Sequence, residues 1–300
     1  MQIEVIIEKK SHKLDAEEGK TILETLQEHG IHVLTAPCGG RGRCGKCTVE
    51  VEHMGEVLAC MTKVTDGMRI TIPKVQLRAQ KSKIAENGTV THYPADDGEG
   101  LDAACDIGTT TVVCHLIDGK TGEKLATVSE PSAQRSFGAD VLSRIQAAEA
   151  GKLEILKEQI IFQIAQMLRT LQKKTGRGEQ IQRLAVVGNT VMCHLFAGIS
   201  PVSIGVTPFM PQEFFGKEYT GEQLGLTDCR SVYIAPAVAG FVGGDITSDL
   251  LAVMQKKPKD KVLLLDIGTN GEMAVGNEDQ IYCCATAGGA AFEGGGVGGG

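Results

Sequence analysis

Ten cysteines occur in the 300-residue chain, and four of them fall in one stretch, Cys38 to Cys60, CGGRGRCGKCTVEVEHMGEVLAC. Their order is C-x5-C-x2-C, then twelve residues, then one further Cys. One loop thus presents three thiolates, Cys38, Cys44 and Cys47, and a later turn supplies Cys60. Four thiolates are what a two-iron cluster requires, and the plant-type arrangement is C-x4-C-x2-C with a distant fourth Cys. This loop is one residue longer. Its glycines at 39, 40, 42 and 45 let the backbone bend tightly enough for amide N–H groups to approach sulfur. Arg41, Arg43 and Lys46 add positive charge beside an anionic group. The spacing predicts a [2Fe-2S] site with Cys38, Cys44, Cys47 and Cys60 as the metal ligands.

A structural zinc site also uses four thiolates, but usually as two short C-x2-4-C pairs, and the second pair is missing here. A disulfide framework fits less well. The first segment, MQIEVIIEKK, alternates like a strand instead of forming the apolar core of a signal peptide, so a cytoplasmic protein is expected. Gly40, Gly42 and Gly45 also satisfy G-x-G-x-x-G, yet a dinucleotide fingerprint follows a strand and opens a helix, whereas this run encloses Cys44 and leads into the strand-like CTVEVEH.

Around the cluster loop, the N-terminal region to Leu14 reads as a hairpin. Thr21 to His29 reads as a short helix capped by Thr21 and closed by Gly30. CTVEVEH and MRITIP alternate as half-buried strands. Residues 1–77 therefore form an α+β domain with a small mixed sheet, similar to a β-grasp ferredoxin. Residues 78–100 turn polar and read as a linker, either a tether or a surface excursion. From Leu101 to Gly300 strands and helices alternate. Ser136 to Ala150 and Leu153 to Lys174 read as helices, the second with a core face of Leu153, Leu156, Ile160, Ile164, Leu168 and Leu171.

A second constellation lies in this region. Asp106-Ile107-Gly108-Thr109-Thr110 and Asp266-Ile267-Gly268-Thr269-Asn270 stand 160 residues apart, each closing one apolar strand and opening another. An Asp at a strand end followed by a Gly-Thr turn offers N–H and hydroxyl donors to phosphate, and its carboxylate can hold Mg²⁺ directly or through water. Two such hairpins facing each other would grip a triphosphate from both sides. Gly243-Gly244-Asp245 forms a further turn, where Asp245 reads either as a helix cap or as a carboxylate near Mg²⁺ with a catalytic role. Neither Gly19-Lys20-Thr21 nor Gly119-Lys120-Thr121 has the upstream Gly of a P-loop.

The paired hairpins resemble the ASKHA superfold of acetate and sugar kinases, Hsc70 and actin. Joined to an N-terminal [2Fe-2S] domain, they resemble the reductive activators of corrinoid enzymes. The resemblance rests on the cluster loop, DIGTTTV, FGADVLSRI, VVGNTVMCHLFAGISP, GVTPF, AGFVGGDITSDLLA and LLLDIGTNGE, which follow that family's order over almost the whole chain. It implies an ATP-dependent metalloprotein reductase that passes one electron from the cluster to the cob(II)alamin of a corrinoid protein in a methyltransferase system, restoring cob(I)alamin. ATP with Mg²⁺ is then held by Asp106, Gly108, Thr109, Thr110, Gly243, Gly244, Asp266, Gly268, Thr269 and Asn270. The implied partners are that corrinoid protein and an electron donor, and a homodimer is compatible. A plain electron carrier and an ASKHA kinase with an accessory cluster are the alternative functions.

Family members continue beyond GGAAFEG, whereas eight of the last 16 residues here are Gly and the chain stops at Gly300, which reads as a C-terminally truncated ASKHA domain. A net charge of −7 without a basic run argues against nucleic acid, and no segment approaches the roughly 20 apolar residues of a membrane span. Cys105, Cys114, Cys193, Cys229, Cys283 and Cys284 show no ligand spacing and read mostly as buried small apolar residues. His53, His115 and His194 read as core or surface histidines.

Overall fold

The computed structural model of the protein describes residues 1–73, 93, 98–256, 258, 260–268 and 270–287. Nearly all of the 78–100 linker, Thr269 and the glycine-rich run 288–300 lie outside the described residues. The chain divides into two compact units. One comprises Met1–Lys83 and Ala133–Ala147, the other Ile84–Ser132 and Ala148–Gly300.

The first unit is built on a five-stranded mixed sheet of order β2-β1-β5-β3-β4. Strands β1 (Gln2–Ile7) and β2 (Lys10–Asp15) form the expected hairpin. Glu8 and Lys9 both take positive φ in its two-residue turn, which gives the turn a twist matching that of its strands. β1 runs parallel to β5 (Arg69–Thr71), and β5 lies antiparallel to β3 (Thr48–Val51), which pairs with β4 (Gly55–Leu58). Alternation places Ile3, Val5, Val49, Val51 and Ile70 in a core that helix α1 (Ile22–Glu28) closes with Ile22, Leu23 and Leu26. Cys47 and Cys60 belong to that core. The helix starts where the sequence says it should: Thr21 Oγ1 accepts from the Glu24 N–H at 3.2 Å, and Glu24 Oε2 accepts from the Thr21 N–H at 2.9 Å.

Ala133–Phe137, a 3₁₀ turn, and helix α2 (Val141–Ala147) also belong to this unit, although they lie far along the chain. Nothing in the local pattern of that segment announces this.

The second unit carries a six-stranded sheet of order β10-β11-β9-β6-β7-β8 and a three-stranded sheet of order β12-β13-β14. In the first, β6 (Leu101–Ile107), β7 (Thr111–Asp118) and β8 (Lys124–Pro131) make an antiparallel meander; β9 (Ile181–Val187) lies parallel to β6, and β11 (Cys229–Ile234) lies parallel to β9. β10 (Lys217–Thr220) closes the edge. Helix α3 (Leu153–Thr175) packs on β7 and β8 through Leu156, Ile160, Ile164, Leu168 and Leu171, all fully buried, whereas Leu153 is half-buried at the helix start. Gly176, at φ 68, ends it in a left-handed cap. Helices α4 (Thr190–Ala197), α5 (Gly221–Leu224) and α6 (Gly244–Met254) follow, then β12 (Val262–Ile267), β13 (Asn270–Gly276) and β14 (Ile281–Ala287) as a second meander. Ile246 of α6 packs with Val242 and with Ala274 of β13.

Because the capping box gives acceptors to two orphan N–H groups of α1, one of these acceptors being the Thr21 hydroxyl, Thr21→Ala should destabilise the first unit by about 1 kcal/mol. Denaturant unfolding of that unit, followed by far-ultraviolet circular dichroism, checks this; a midpoint equal to wild type contradicts it.

Candidate functional site

The cluster loop runs from Pro37 into β3, and Cys60 follows β4 at the turn beside α1. Gly39, Gly40, Gly42 and Gly45 all take φ between 65 and 82. Gly42 is the clearest case of need, because a Cβ there would lie 2.8 Å from the Met61 sulfur on a backbone that side chains already disfavour. This winding turns amides inward. Burial pushes the Cys38 thiol up, but the N–H groups of Cys44, Arg43 and Arg41 and the Cys44 thiol outweigh it and bring it down to about 7. Cys60 goes the other way, pushed up to about 12 by burial and by the neighbouring Cys47 and Cys38 sulfurs, with only the Gly42 N–H opposing.

Cys38 thus feels the Cys44 thiol, and Cys60 the Cys47 thiol, so the four sulfurs fall into two neighbouring pairs. Among the described residues no group of three or more His, Cys, Asp or Glu side chains is gathered to hold a metal ion. Two thiol pairs, the first met by three N–H donors and the second by one, fit a two-iron cluster, in which each iron takes two protein sulfurs and the backbone hydrogen bonds tune the couple.

In the second unit the Asp106–Thr110 turn joins β6 to β7 and abuts two other turns. A Cβ on Gly108 would lie 2.6 Å from the Thr111 carbonyl oxygen; one on Gly188 would lie 2.7 Å from Ile107; one on Gly243 would lie 2.5 Å from the Thr190 nitrogen. Three stretches of backbone thus meet where no side chain fits. Asn189 Nδ2 donates to Thr109 Oγ1 at 2.9 Å while its Oδ1 accepts from the Met192 N–H, so one side chain caps α4 and fixes the Gly-Thr turn. The Asp245 N–H donates to the Gly188 carbonyl at 3.3 Å. Gly188 and Asn189 had no expected part in the site; their signal in VVGNT was a Gly-Asn turn between a strand and a helix, as Gly243-Gly244-Asp245 is a glycine turn that opens a helix.

Carboxylates converge on the same place. Burial, then the charge of Asp266 and of Asp249, pushes Asp245 up to about 6 against the pull of the Ile246 N–H. Burial and Asp266 likewise raise Asp249. Buried Cys193 lies below, its thiol pushed up by burial and by Asp245 and Asp106. Glu272, opposite Asp266 across β12 and β13, is also buried. Asp245 thus feels the charge of Asp266, and Cys193 that of both Asp245 and Asp106, so these carboxyls, far apart in the sequence, lie within electrostatic reach of one region, although among the described residues no three of them are gathered as a metal site. Gly268 donates to the Asn270 carbonyl at 3.0 Å in the second turn, and Thr269 lies outside the described residues. Acid groups near glycine-lined turns, two of them with raised pKa, are compatible with a phosphate ligand that brings its own divalent cation, the cation supplying the missing positive charge.

Two expectations need correcting. Asp245 does not cap α6: Gly243 holds that position with no side-chain bond, because the helix begins one residue before Asp245, whose Oδ1 accepts from the Ile246 N–H at 2.9 Å. Cys105 and Cys114 are buried but are joined as a disulfide, because the antiparallel register of β6 and β7 sets them directly opposite each other with Cα atoms 4.2 Å apart. Their symmetry about the 109–110 turn was the available signal. Cys193 and Cys229 are buried free thiols, Cys283 is half-buried and Cys284 is exposed. His194 is buried and bonds the Thr190 carbonyl, His115 bonds Thr127 at 2.8 Å, and His53 lies exposed.

Comparison with known proteins follows the same division. Residues 4–74 match the 2Fe-2S iron-sulfur cluster binding domain, residues 101–257 the RACo middle region, and residues 260–300 the C-terminal domain of RACo, the ASKHA domain. The chain is 30% identical to the corrinoid activation enzyme RamQ of Eubacterium limosum, over 88% of this chain and 58% of that one. It is 28% identical to the [Co(II) methylated amine-specific corrinoid protein] reductase of Methanosarcina barkeri, over 65% of this chain and 37% of that one. A solved reductive activator for corrinoid, iron-sulfur protein superposes with a TM-score of 0.62 at 26% identity, covering 97% of this chain and 64% of its own. The chain spans less than two thirds of the length of each of these relatives.

Alanine in place of Cys38, Cys44, Cys47 or Cys60 should remove or badly destabilise a cluster of two irons and two sulfides, while Cys229→Ala should leave it; iron and sulfide analysis decides, and zinc without sulfide contradicts the assignment. Asp245→Asn should stabilise the nucleotide-free protein by about 1–3 kcal/mol at pH 8, since it removes a partly buried charge whose folded pKa is raised by roughly two units. The sign follows from that rise: the penalty is absent below about pH 4 and complete above about pH 6. Thermal unfolding at both ends of that range checks it.

Proposed function

Because the chain belongs to the RACo family, whose middle region matches residues 101–257, we propose that it acts as an ATP-dependent reductive activator of a corrinoid protein. The reaction passes one electron from a low-potential donor to the cob(II)alamin of a corrinoid protein in a methyltransferase system, giving cob(I)alamin. The observation that carries this reading is the presence on one chain of two thiol pairs in an N–H-lined loop and a carboxylate cluster around glycine-lined turns. The printed names of the relatives, corrinoid activation enzyme and corrinoid protein reductase, supply the substrate class.

A bound cluster supplies a one-electron couple near −400 mV. The loop amides hold negative charge on sulfur, and the sheet core that takes in Cys47 and Cys60 excludes water from one side. Against a couple about 180 mV lower, only roughly one product per thousand would form, since each 59 mV is a factor of ten. Nucleotide binding can offset a deficit of about 4 kcal/mol only by favouring one state of the complex over another. In this chain Asp106, Asp245 and Asp266 would hold magnesium. The Gly108–Thr110 and Gly268–Asn270 turns, with Gly243 and Gly244, would hold phosphate. We place the protein in the cytoplasm, where reducing conditions suit the four cluster thiols and would open the Cys105–Cys114 bond; no helix among the described residues is long and apolar enough to cross a membrane.

The test mixes the protein with a low-potential reductant and a cob(II)alamin protein and follows the cobalt spectrum with and without Mg-ATP. Conversion to cob(I) should require ATP, and Asp106→Asn should keep the cluster yet lose the ATP effect. Nucleotide affinity should fall in Asp106→Asn and Asp266→Asn by a few kcal/mol, on the order of a lost charge-assisted contact. In wild type it should also weaken below about pH 6, where Asp245 takes up a proton. Equal cobalt reduction without ATP, or unchanged nucleotide affinity in both variants, refutes this function.

A further inference from the structure

The segment Ala133–Ala147 lies in the sequence between β8 and α3, which belong to the second unit, yet it packs in the first. Its contacts there concentrate on α1 and on the Cys38 end of the cluster loop. The buried Gln27 amide of α1 donates to the Ser136 carbonyl at 2.8 Å. The Ala139 N–H donates to the Pro37 carbonyl at 3.2 Å, one residue before Cys38. On the other side of Cys38, a Cβ on Gly39 would lie 3.4 Å from the Phe137 carbonyl oxygen and 3.7 Å from Ser143. The segment therefore grips both flanks of the first thiolate.

It is also stiff. Arg144, with no exposed surface, donates to the Gly138 carbonyl and to Gln134 Oε1, tying the 3₁₀ turn to α2 from inside. Asp140 accepts from the Ser143 N–H at 2.8 Å to start that helix. Gly138 leaves no room for a side chain, since a Cβ would lie 2.2 Å from that of Ser143.

The end that enters the second unit is anchored at the candidate nucleotide turn. The Ser132 N–H donates to the Thr110 carbonyl at 2.8 Å, and the Gln163 amide of α3 donates to the Pro131 carbonyl at 2.8 Å. At the other end, α2 and α3 are separated by a break at Ala150 and Gly151, where Gly151 takes φ 84 in open space.

We propose that Ala133–Ala147 is a positioning arm that clamps the Cys38 flank of the cluster loop and, through Ser132, ties it to the Gly108–Thr110 turn, so that the state of that turn reaches the cluster. The clamp stands on the contacts alone. The transmission rests on the reading of that turn as a nucleotide site.

The test uses the cluster-loaded full chain and reads the cluster, not turnover: visible circular dichroism, the paramagnetic resonance of the reduced form, and the rate at which a chelator strips iron. Ala139→Pro removes the N–H given to Pro37, and Gln27→Ala removes the bond to Ser136. In Gln27→Ala iron should be stripped about fivefold faster, the factor equal to the ~1 kcal/mol net worth of one hydrogen bond. Ser132→Pro removes the N–H given to Thr110, and Gln163→Leu, milder, frees the Pro131 carbonyl. Both should shift the cluster spectra in the same sense as Ala139→Pro, with iron content retained, while Ser132→Ala leaves them unchanged. Wild-type behaviour in both Gln27→Ala and Ala139→Pro overturns the clamp. Wild-type spectra in Gln163→Leu and in every folded Ser132→Pro sample overturn the link. Mg-ATP, with binding followed by calorimetry, separates the two claims: binding that leaves the cluster spectra unmoved overturns the link. No binding refutes the nucleotide reading and leaves the substitutions to judge the arm.

Discussion

Both arrangements in this chain depend on amide N–H groups brought close to negative charge without a side-chain cation in between. Backbone donors reach that position only where the chain turns more sharply than a side chain allows. In the cluster loop the difference between two thiols makes this visible. Cys38 receives several inward amides and is held near 7, whereas Cys60, deeper and with one such donor, stands near 12. Burial acts on both in the same direction, so the amides decide which sulfur carries charge first. Arg41 and Arg43 contribute to Cys38 through their main-chain N–H groups.

The carboxylate cluster shows the complementary problem. Asp266 raises the pKa of both Asp245 and Asp249, and Asp249 raises that of Asp245, and the strands and helices around them gain nothing from their proximity. A fold selected for stability alone would separate these charges. Their gathering at a junction of three glycine turns, with Asn189 bridging α4 to Thr109, has the character of a site that is unfavourable when empty and relieved by a bound cation. Local instability at such a place also leaves free energy that binding can use elsewhere.

The 133–147 segment connects these two forms of charge management. It is covalently part of the region that carries the turns, and by packing it is part of the unit that carries the thiols. Its internal fastening by a wholly buried arginine, brought down by burial to about 9 and so still charged at neutral pH, is costly unless every donor is used. Gly138 and Gln134 take three of those donors within the segment itself.

What the sequence determined by itself was whatever depends on neighbours along the chain. The C-x5-C-x2-C loop with the later Cys60 marked four candidate ligands, Thr21 and Glu24 spelled out a capping box, and the apolar steps from Leu156 to Leu171 marked a buried helix face. The Asp-Gly-Thr repeat was equally legible, because a strand end followed by a tight turn is local geometry. Tertiary structure alone decided which distant turns meet. Asn189 on Thr109 and Ala139 on Pro37 are contacts between remote segments, Asp245 feels the charge of Asp266 from another element, and no periodicity encodes any of these. The physical reason is that spacing specifies which face a residue occupies, whereas sheet order and packing specify what stands opposite that face.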